Sequence, residues 1–364
     1  MAKNWLTKLN NLEGAITDDY NPFNHVVQTP SPSLNFTFGR GHGLPLGYTV
    51  IMFGPPGGGK SLVSNAMIGQ LHKDYEDGIA VKFDTEFREQ GQLTKEQAAV
   101  WGIDKDRYVS YSVNSPILIF DRIENEVNAM CQEGAPIKMV IIDSITGIVG
   151  RRELNSDTIE TQQIGDHALT IQTGLKRILP VIRNNKIALV LTAHVRAEMD
   201  MLEQKRGNAV KMAASYGVKH MAEYFLYVEA NRNKEGRTDL MGKEFIDDAA
   251  RDINDKGDKT GHKIRVCMKK SSMGSAGRVG ELTFDYNKGI INIHEEVFLL
   301  GANRGIIERV NNLTYAYGDR KWTGKPAILE ALRTDTDLQK AILSDLRKKE
   351  ASGAFAKEDQ TEAD

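Results

Sequence analysis

The chain is poor in cysteine, has no long apolar run and carries almost no excess of charge. Cys131 and Cys267 stand alone, without metal-ligand spacing. That excludes a disulfide framework and fits a reducing compartment. No run of 18 apolar residues occurs, so no helical membrane span and no membrane partner are expected. The opening residues, Met1-Ala2-Lys3-Asn4-Trp5, lack the apolar centre of a signal peptide, which points to the cytoplasm. The 47 basic and 49 acidic residues leave a formal net charge of −2, so total charge does not announce a polyanion binder. A length of 364 residues, 40 % apolar and 26 % charged, allows one large globular domain or a core with appendages.

Charge is segregated instead. No acid occurs between Gln204 and Ala222, which holds Lys205, Arg206, Lys211 and Lys219. None occurs between Lys259 and Gly280, which holds Lys259, Lys263, Arg265, Lys269, Lys270 and Arg278. Glu244 to Asp258 carries six acids against two bases, and Glu350 to Asp364 five against one. Such a distribution suggests basic surfaces for an anion and acidic segments that compete with it; solvated loops of uneven composition are the plainer alternative.

The most informative stretch is Gly54-Pro55-Pro56-Gly57-Gly58-Gly59-Lys60-Ser61, a phosphate-binding loop. An apolar strand, Tyr48 to Phe53, leads in, and a helical run from Leu62 to Leu71 leads out. Glycines let backbone N–H groups curl round a triphosphate, and the helix start, including Leu62, adds free donors and a favourable dipole. Lys60 would reach the β- and γ-phosphates, and the Ser61 hydroxyl would sit on Mg²⁺.

Apolar runs then alternate with helical spacing. Strands are expected at 79–83, 108–113, 139–142, 187–191, 224–229 and 264–268, and helices at 117–131 and 164–183. This predicts an α/β fold, a mostly parallel sheet flanked by helices, with its ligand at the carboxyl ends of the strands. Three of those ends carry polar groups. Asp143 follows Ile141-Ile142 and suits a Mg²⁺-holding carboxylate. Glu86, in Phe83-Asp84-Thr85-Glu86, suits the group that orients or deprotonates an attacking water. His194 ends Leu191-Thr192-Ala193-His194 and suits a sensor of the γ-phosphate. For Glu86 a loop-capping role, and for His194 a satisfied core histidine, are the plainer readings. Hairpins are expected at 282–293 and 315–322.

Taken in order, these elements resemble the RecA family of strand-exchange recombinases, nearest to the phage-encoded branch typified by the T4 recombinase UvsX. The likeness runs from about Ser31 to Ala331. It includes Ser31-Pro32-Ser33-Leu34 and Gly41-His42-Gly43-Leu44-Pro45-Leu46-Gly47 before the loop, Phe83-Asp84-Thr85-Glu86-Phe87, and Val140-Ile141-Ile142-Asp143-Ser144. Ile164-Gly165-Asp166, Arg206-Gly207-Asn208-Ala209-Val210-Lys211, Gly301 to Ile307 and Lys321 to Lys325 extend it. His194 stands where bacterial relatives carry glutamine. Met268-Lys269-Lys270-Ser271 departs from the family's basic–spacer–basic run, and no adenine-stacking tyrosine is evident near Gln97.

Pro22, Pro30 and Pro32 mark residues 1–30 as an arm outside the core, expected to serve oligomerisation, and the polar, acidic composition of 350–364 predicts a disordered tail. The resemblance implies a RecA-type ATPase core at 31–294 and a small C-terminal region at 295–349. It implies ATP and Mg²⁺ as cofactors. It also implies DNA-binding loops at about 150–166, with Arg151 and Arg152, and about 195–218, with Arg196, Lys205, Arg206 and Lys211. Lys269 and Lys270, expected at a sheet edge, would reach the γ-phosphate of a neighbouring subunit. The implied activity is DNA-dependent ATP hydrolysis coupled to homologous pairing and strand exchange. The implied partners are single- and double-stranded DNA, further copies in a helical filament, and single-strand-binding and mediator proteins, in the host cytoplasm if phage-encoded. A hexameric RecA-fold helicase and a nucleotide-switched accessory protein are the alternatives.

Overall fold

Short apolar strands joined by longer helical crossovers build one large sheet with helices on both faces. The computed structural model describes residues 7–9, 21–88, 95–154, 165–197, 210–213, 216–230 and 261–352. At the entrance, β1 (Val26–Val27) pairs with β2 (Leu44–Pro45), and α1 (Pro32–Phe38) lies between them in sequence. Next come β3 (Thr49–Gly54), α2 (Lys60–Asp74), β4 (Ile79–Asp84), α3 (Lys95–Trp101) and β5 (Tyr108–Ser112). One helical stretch then comprises α4 (Pro116–Asp121), a π-helical turn at Arg122–Val127 and α5 (Asn128–Gln132). The chain continues through β6 (Ile137–Asp143), α6 (Arg151–Leu154), α7 (Asp166–Asn184), β7 (Ala188–Ala197), β8 (Val210–Met212), α8 (Tyr216–Lys219) and β9 (Tyr224–Ala230). Past residue 260 lie β10 (Gly261–Ser271), β11 (Val279–Asp285), β12 (Gly289–Ile291), α9 (Ile293–Asn303), β13 (Glu308–Arg309), β14 (Thr314–Tyr317), β15 (Arg320–Thr323), α10 (Lys325–Thr334) and α11 (Thr336–Ala351).

The main sheet has ten strands in the order β12-β11-β10-β9-β3-β7-β6-β4-β5, with β8 paired to the end of β7. From β9 to β5 neighbouring strands are parallel, and β10 to β12 complete the sheet antiparallel. The mostly parallel α/β architecture expected from the alternating runs is therefore the one observed. Period-two alternation divides the central strands between two cores. Val50 and Met52 of β3 face α2 through Val63, Met67 and Leu71, whereas Ile51 and Phe53 join Ile119, Ile171, Leu175 and Ile178 beneath α4 and α7. A third cluster joins Phe36 of α1 to Val297, Ile328, Leu338, Ile342 and Leu346 of the C-terminal helices.

Several details differ from the sequence reading. Val27, expected in an arm outside the core, is fully buried in the first cluster because β1 pairs with β2. Strand β10 is not a sheet edge: it lies between β9 and β11. The expected disordered tail begins inside α11, where Glu350 is buried between Arg278 and Arg304. Its charge is paired, which composition alone does not show. Among the described residues no helix is long and apolar enough to cross a membrane.

Candidate functional site

The glycine loop between β3 and α2 is shaped by close packing and by left-handed backbone. Any side chain at Gly54 would collide with the Val228 carbonyl of β9. Gly57 and Gly59 have φ of 69° and 99°, conformations that only glycine adopts without strain. Gly59 also caps α2 with no side-chain hydrogen bond. The first intrahelical bond there is Val63 N–H to Gly59 O, at 2.9 Å, so the N–H groups of Lys60, Ser61 and Leu62 have no helical acceptor. An uncapped helix start behind a loop that leaves open space at Gly57 is a cradle for phosphate oxygens. Lys60 is buried and donates to the carbonyls of Gly54 and Pro55, both at 2.9 Å. Burial pulls its ammonium below the usual lysine value, against the opposing pull of Asp143 and Glu86.

Register brings the other candidates into line with this loop. Gly54 of β3 pairs with His194 of β7, and Asp84 of β4 pairs with Asp143 of β6. Since β3, β7, β6 and β4 are consecutive in the sheet, the phosphate loop, His194, Asp143 and the Glu86 turn share one rim. Burial alone would raise the Asp143 carboxyl, but it is held below the ordinary range by Lys82, Thr192 and Ser61. Thr192 Oγ1 donates to Asp143 Oδ1 at 2.5 Å, and Lys82 Nζ lies 3.4 Å from Asp143 Oδ2.

Glu86 sits at the centre of a second network. Ser144 Oγ donates to Glu86 Oε1 at 2.6 Å, and His194 Nε2 lies 2.6 Å from the same oxygen. Arg88 Nη2 is 2.5 Å from Oε2. Burial pushes this carboxyl up, yet Ser144, His194 and Arg88 outweigh it and hold it below the usual glutamate value. The other ring nitrogen of His194, Nδ1, is buried without a hydrogen-bond partner among the described residues. Ser144 is fixed in turn: its N–H donates to Thr85 Oγ1 at 2.9 Å, and Thr85 Oγ1 donates to its carbonyl at 2.6 Å.

Lys82, Thr192 and Ser144 escaped the sequence reading. Lysine inside an apolar run reads as a solvated interruption, whereas here it is 2 % exposed and faces an acid from the adjacent strand. At the rim end of β10 and β11, His262, Phe284 and Tyr286 form an aromatic group, with Trp101 stacked on Phe284 at 4.9 Å.

The candidate DNA residues are distributed over two places. Arg151 and Arg152 open α6, their N–H groups donating to Thr170 Oγ1 and Asp166 Oδ2. They line a cavity of about 320 Å³ with Ile117, Phe120, Leu169 and Arg177, away from the phosphate loop. Arg196 is exposed on β7, in register with Lys211 of β8. The second loop is thus framed by a β-ribbon, and the strand expected to stop near His194 runs on to Ala197. Lys205 and Arg206 lie outside the described residues, as does the acidic stretch 244–258.

Lys269 and Lys270 do not join the rim. Lys270 pairs with Phe225, and Phe225 with Ile51, toward the start of the strand that ends at Gly54. Lys269 is exposed, its ammonium 5.8 Å from the centre of the Tyr227 ring.

Known proteins match most of the chain in sequence. A profile of the RecA N-terminal domain matches residues 16–244. Protein RecA of Mycoplasma genitalium is 24 % identical over 325 residues, covering 87 % of this chain and 86 % of its own. Protein RecA of Thermus thermophilus is 24 % identical over 318 residues, covering 87 % and 83 %. Protein RecA of Salinispora arenicola is 25 % identical over 339 residues, covering 91 % and 85 %.

Proposed function

The chain belongs to the RecA family, and from that premise we propose that it is an ATP-dependent DNA recombinase of the phage-encoded, UvsX-like branch. It would assemble as a helical filament on single-stranded DNA, pair that strand with a homologous duplex and exchange strands, in the host cytoplasm. The observation that carries this reading is the shared rim. Gly54, His194, Asp143 and the Glu86 turn end four adjacent strands, and basic segments follow two of them.

The residues present fit ATP and Mg²⁺. The Gly54–Ser61 loop, including Pro55, Pro56 and Gly58, and the free N–H groups of Lys60, Ser61 and Leu62 would hold the phosphates. Ser61 and Asp143 would hold the metal, which when bound neutralises charge on the β- and γ-phosphates. Glu86, kept ionised by its donors, is the base that takes a proton from the attacking water. His194 touches the same carboxylate oxygen and reports its state to the strand that leads into the second loop. Arg151, Arg152, Arg196, Lys205, Arg206 and Lys211 neutralise DNA phosphates, whereas Lys269 acts across the subunit boundary. The segment before β1 would contact a neighbour, β1 joins the ATPase core that extends through 31–294, and 295–349 form a small C-terminal region. Single-strand-binding and mediator proteins are the expected accessory partners.

Negative-stain imaging with single-stranded DNA and a non-hydrolysable ATP analogue tests the assembly. Helical filaments are expected; closed rings would favour a helicase and overturn the reading.

A further inference from the structure

The two lysines that end β10 are adjacent in sequence but have different surroundings. The register of β10 on β9 passes from Met268↔Leu226 to Lys270↔Phe225, so Lys269 is the extra residue of a bulge. A bulge re-aims neighbouring side chains, and here it separates them. Lys269 is exposed, with no ion pair among the described residues. Lys270 turns inward: its Nζ donates to the carbonyls of Lys219 at 2.8 Å and Ala222 at 3.1 Å. Lys219 closes α8, and a cation there offsets carbonyls that have lost their helical donors.

Helix α8 and the turn after it carry the chain back from the second loop to β9. Ahead of this leg, just past β8, Ala213 N–H donates to the carbonyl of His194 at 2.8 Å, and His194 touches Glu86. At its far end Lys270 holds Lys219 and Ala222. Ala213, ahead of the leg, and Ala222, at its end, are therefore each held by groups that neighbour residues assigned to ATP turnover.

We propose that Lys270 is a positioning residue that anchors this return leg, residues 216–222, and so ties the set of the second loop to Lys269, instead of serving as a second cation for a neighbour's nucleotide. The proposal rests on the reading above, in which Lys269 acts on the nucleotide of an adjoining subunit. DNA seated on the second loop shifts the leg, the anchored Lys270 carries that shift into the strand end, and Lys269 moves with it.

The test uses the full-length protein with Lys270→Met, Lys270→Gln and Lys269→Met. Methionine keeps length without donors, while glutamine retains an N–H₂ group for the two carbonyls. Amide exchange at 216–222, single-stranded DNA affinity and DNA-stimulated phosphate release are measured for each. Lys270→Met is expected to speed exchange at 216–222 by about tenfold, weaken DNA binding and lose stimulation, with Lys270→Gln recovering part of all three. Lys269→Met should lose stimulation with exchange unchanged. Lost stimulation in Lys270→Met with wild-type exchange and DNA affinity would make Lys270 a second cation and overturn the anchor. Faster exchange with stimulation intact would leave only a structural cap and overturn the coupling. Should Lys269→Met keep full stimulation, the cross-subunit role of Lys269 fails, while the exchange data still decide the anchor. If Lys270→Met does not fold, Lys270→Gln decides: wild-type behaviour supports donation to the carbonyls, and wild-type exchange with lost turnover refutes it.

Discussion

Lys82 shows how much one buried charge decides. It stands on β4 at 2 % exposure, its ammonium 3.4 Å from Asp143 Oδ2 on the adjacent β6 and also 3.4 Å from Asn65 Oδ1. Removing one partner of such a pair leaves a charge without compensation in a low-dielectric interior. Lys82→Met should therefore lose about 3–5 kcal/mol of stability, and Lys82→Met with Asp143→Asn should recover most of it in urea unfolding. A double variant as unstable as the single one would show that packing around the lysine, not the ion pair, is what matters. Glu86 is the complementary case, the charge proposed to act as the base, held ionised by Ser144, His194 and Arg88. Glu86→Gln retains the shape and the contacts with Ser144 and His194 but cannot accept a proton. Fluorescent-nucleotide titration should show affinity preserved, while phosphate release falls by about 10²–10⁴-fold. Release at the wild-type rate would remove Glu86 from the role of base.

Between elements, the joint of α1 with α9 depends on protonation. Ser31 caps α1, its Oγ accepting from Leu34 N–H at 3.1 Å and donating to Glu296 Oε2 at 2.6 Å. The Ser33 N–H donates to the same carboxyl oxygen at 2.9 Å. Burial pushes the Glu296 carboxyl up to about 8, partly opposed by Ser31 and Ser33 and reinforced by Glu281 and Glu295. A folded-state value raised from 4.5 to about 8 means that the native protein binds more protons than the unfolded chain between those pH values. Stability from this group is thus full below pH 4.5, falls as pH rises to about 8, and is level beyond. Glu296→Gln removes the titration. Its melting temperature should exceed that of the wild type at pH 8 and decline less from pH 5 to 8 in a scan at fixed ionic strength. Parallel profiles would mean that Glu296 does not titrate there.

Across the whole molecule, the C-terminal helices are fastened to the core by charge as well as by apolar packing. Glu350 of α11 meets Arg278, just before β11, and Arg304, at the end of α9, while Arg278 also donates to the Phe36 carbonyl at 2.9 Å. The acids beyond Ser352 (Glu358, Asp359, Glu362 and Asp364) lie outside the described residues and are a separate matter, a run of negative charge. Truncation after Ser352 should leave the melting temperature unchanged and raise affinity for double-stranded DNA at low salt, because a competing polyanion is gone. Truncation before Glu350 should also lower the melting temperature, since two half-buried guanidinium groups lose their counter-charge. Equal DNA affinity for the full chain and the shorter truncation would reduce the tail to simple solvation.

The sequence by itself determined the fold class and which polar residues end the strands of the rim. Gly54 to Ser61, Asp143, Glu86 and His194 each follow an apolar run, and a parallel α/β sheet gathers such ends on one side whatever the loops do. Local pattern also sufficed for the hairpin of β14 and β15, whose turn lies at Gly318-Asp319. Tertiary structure alone decided how the buried and half-buried charges are partnered. Lys82 finds Asp143, Glu350 finds Arg278 and Arg304, and Lys270 finds two backbone carbonyls, all across long separations in sequence. It also decided that Val27 is core and that β10 lies inside the sheet. Periodicity reports the face a residue occupies on its own element. The identity of its partner depends on strand order and register, which are global properties of the sheet.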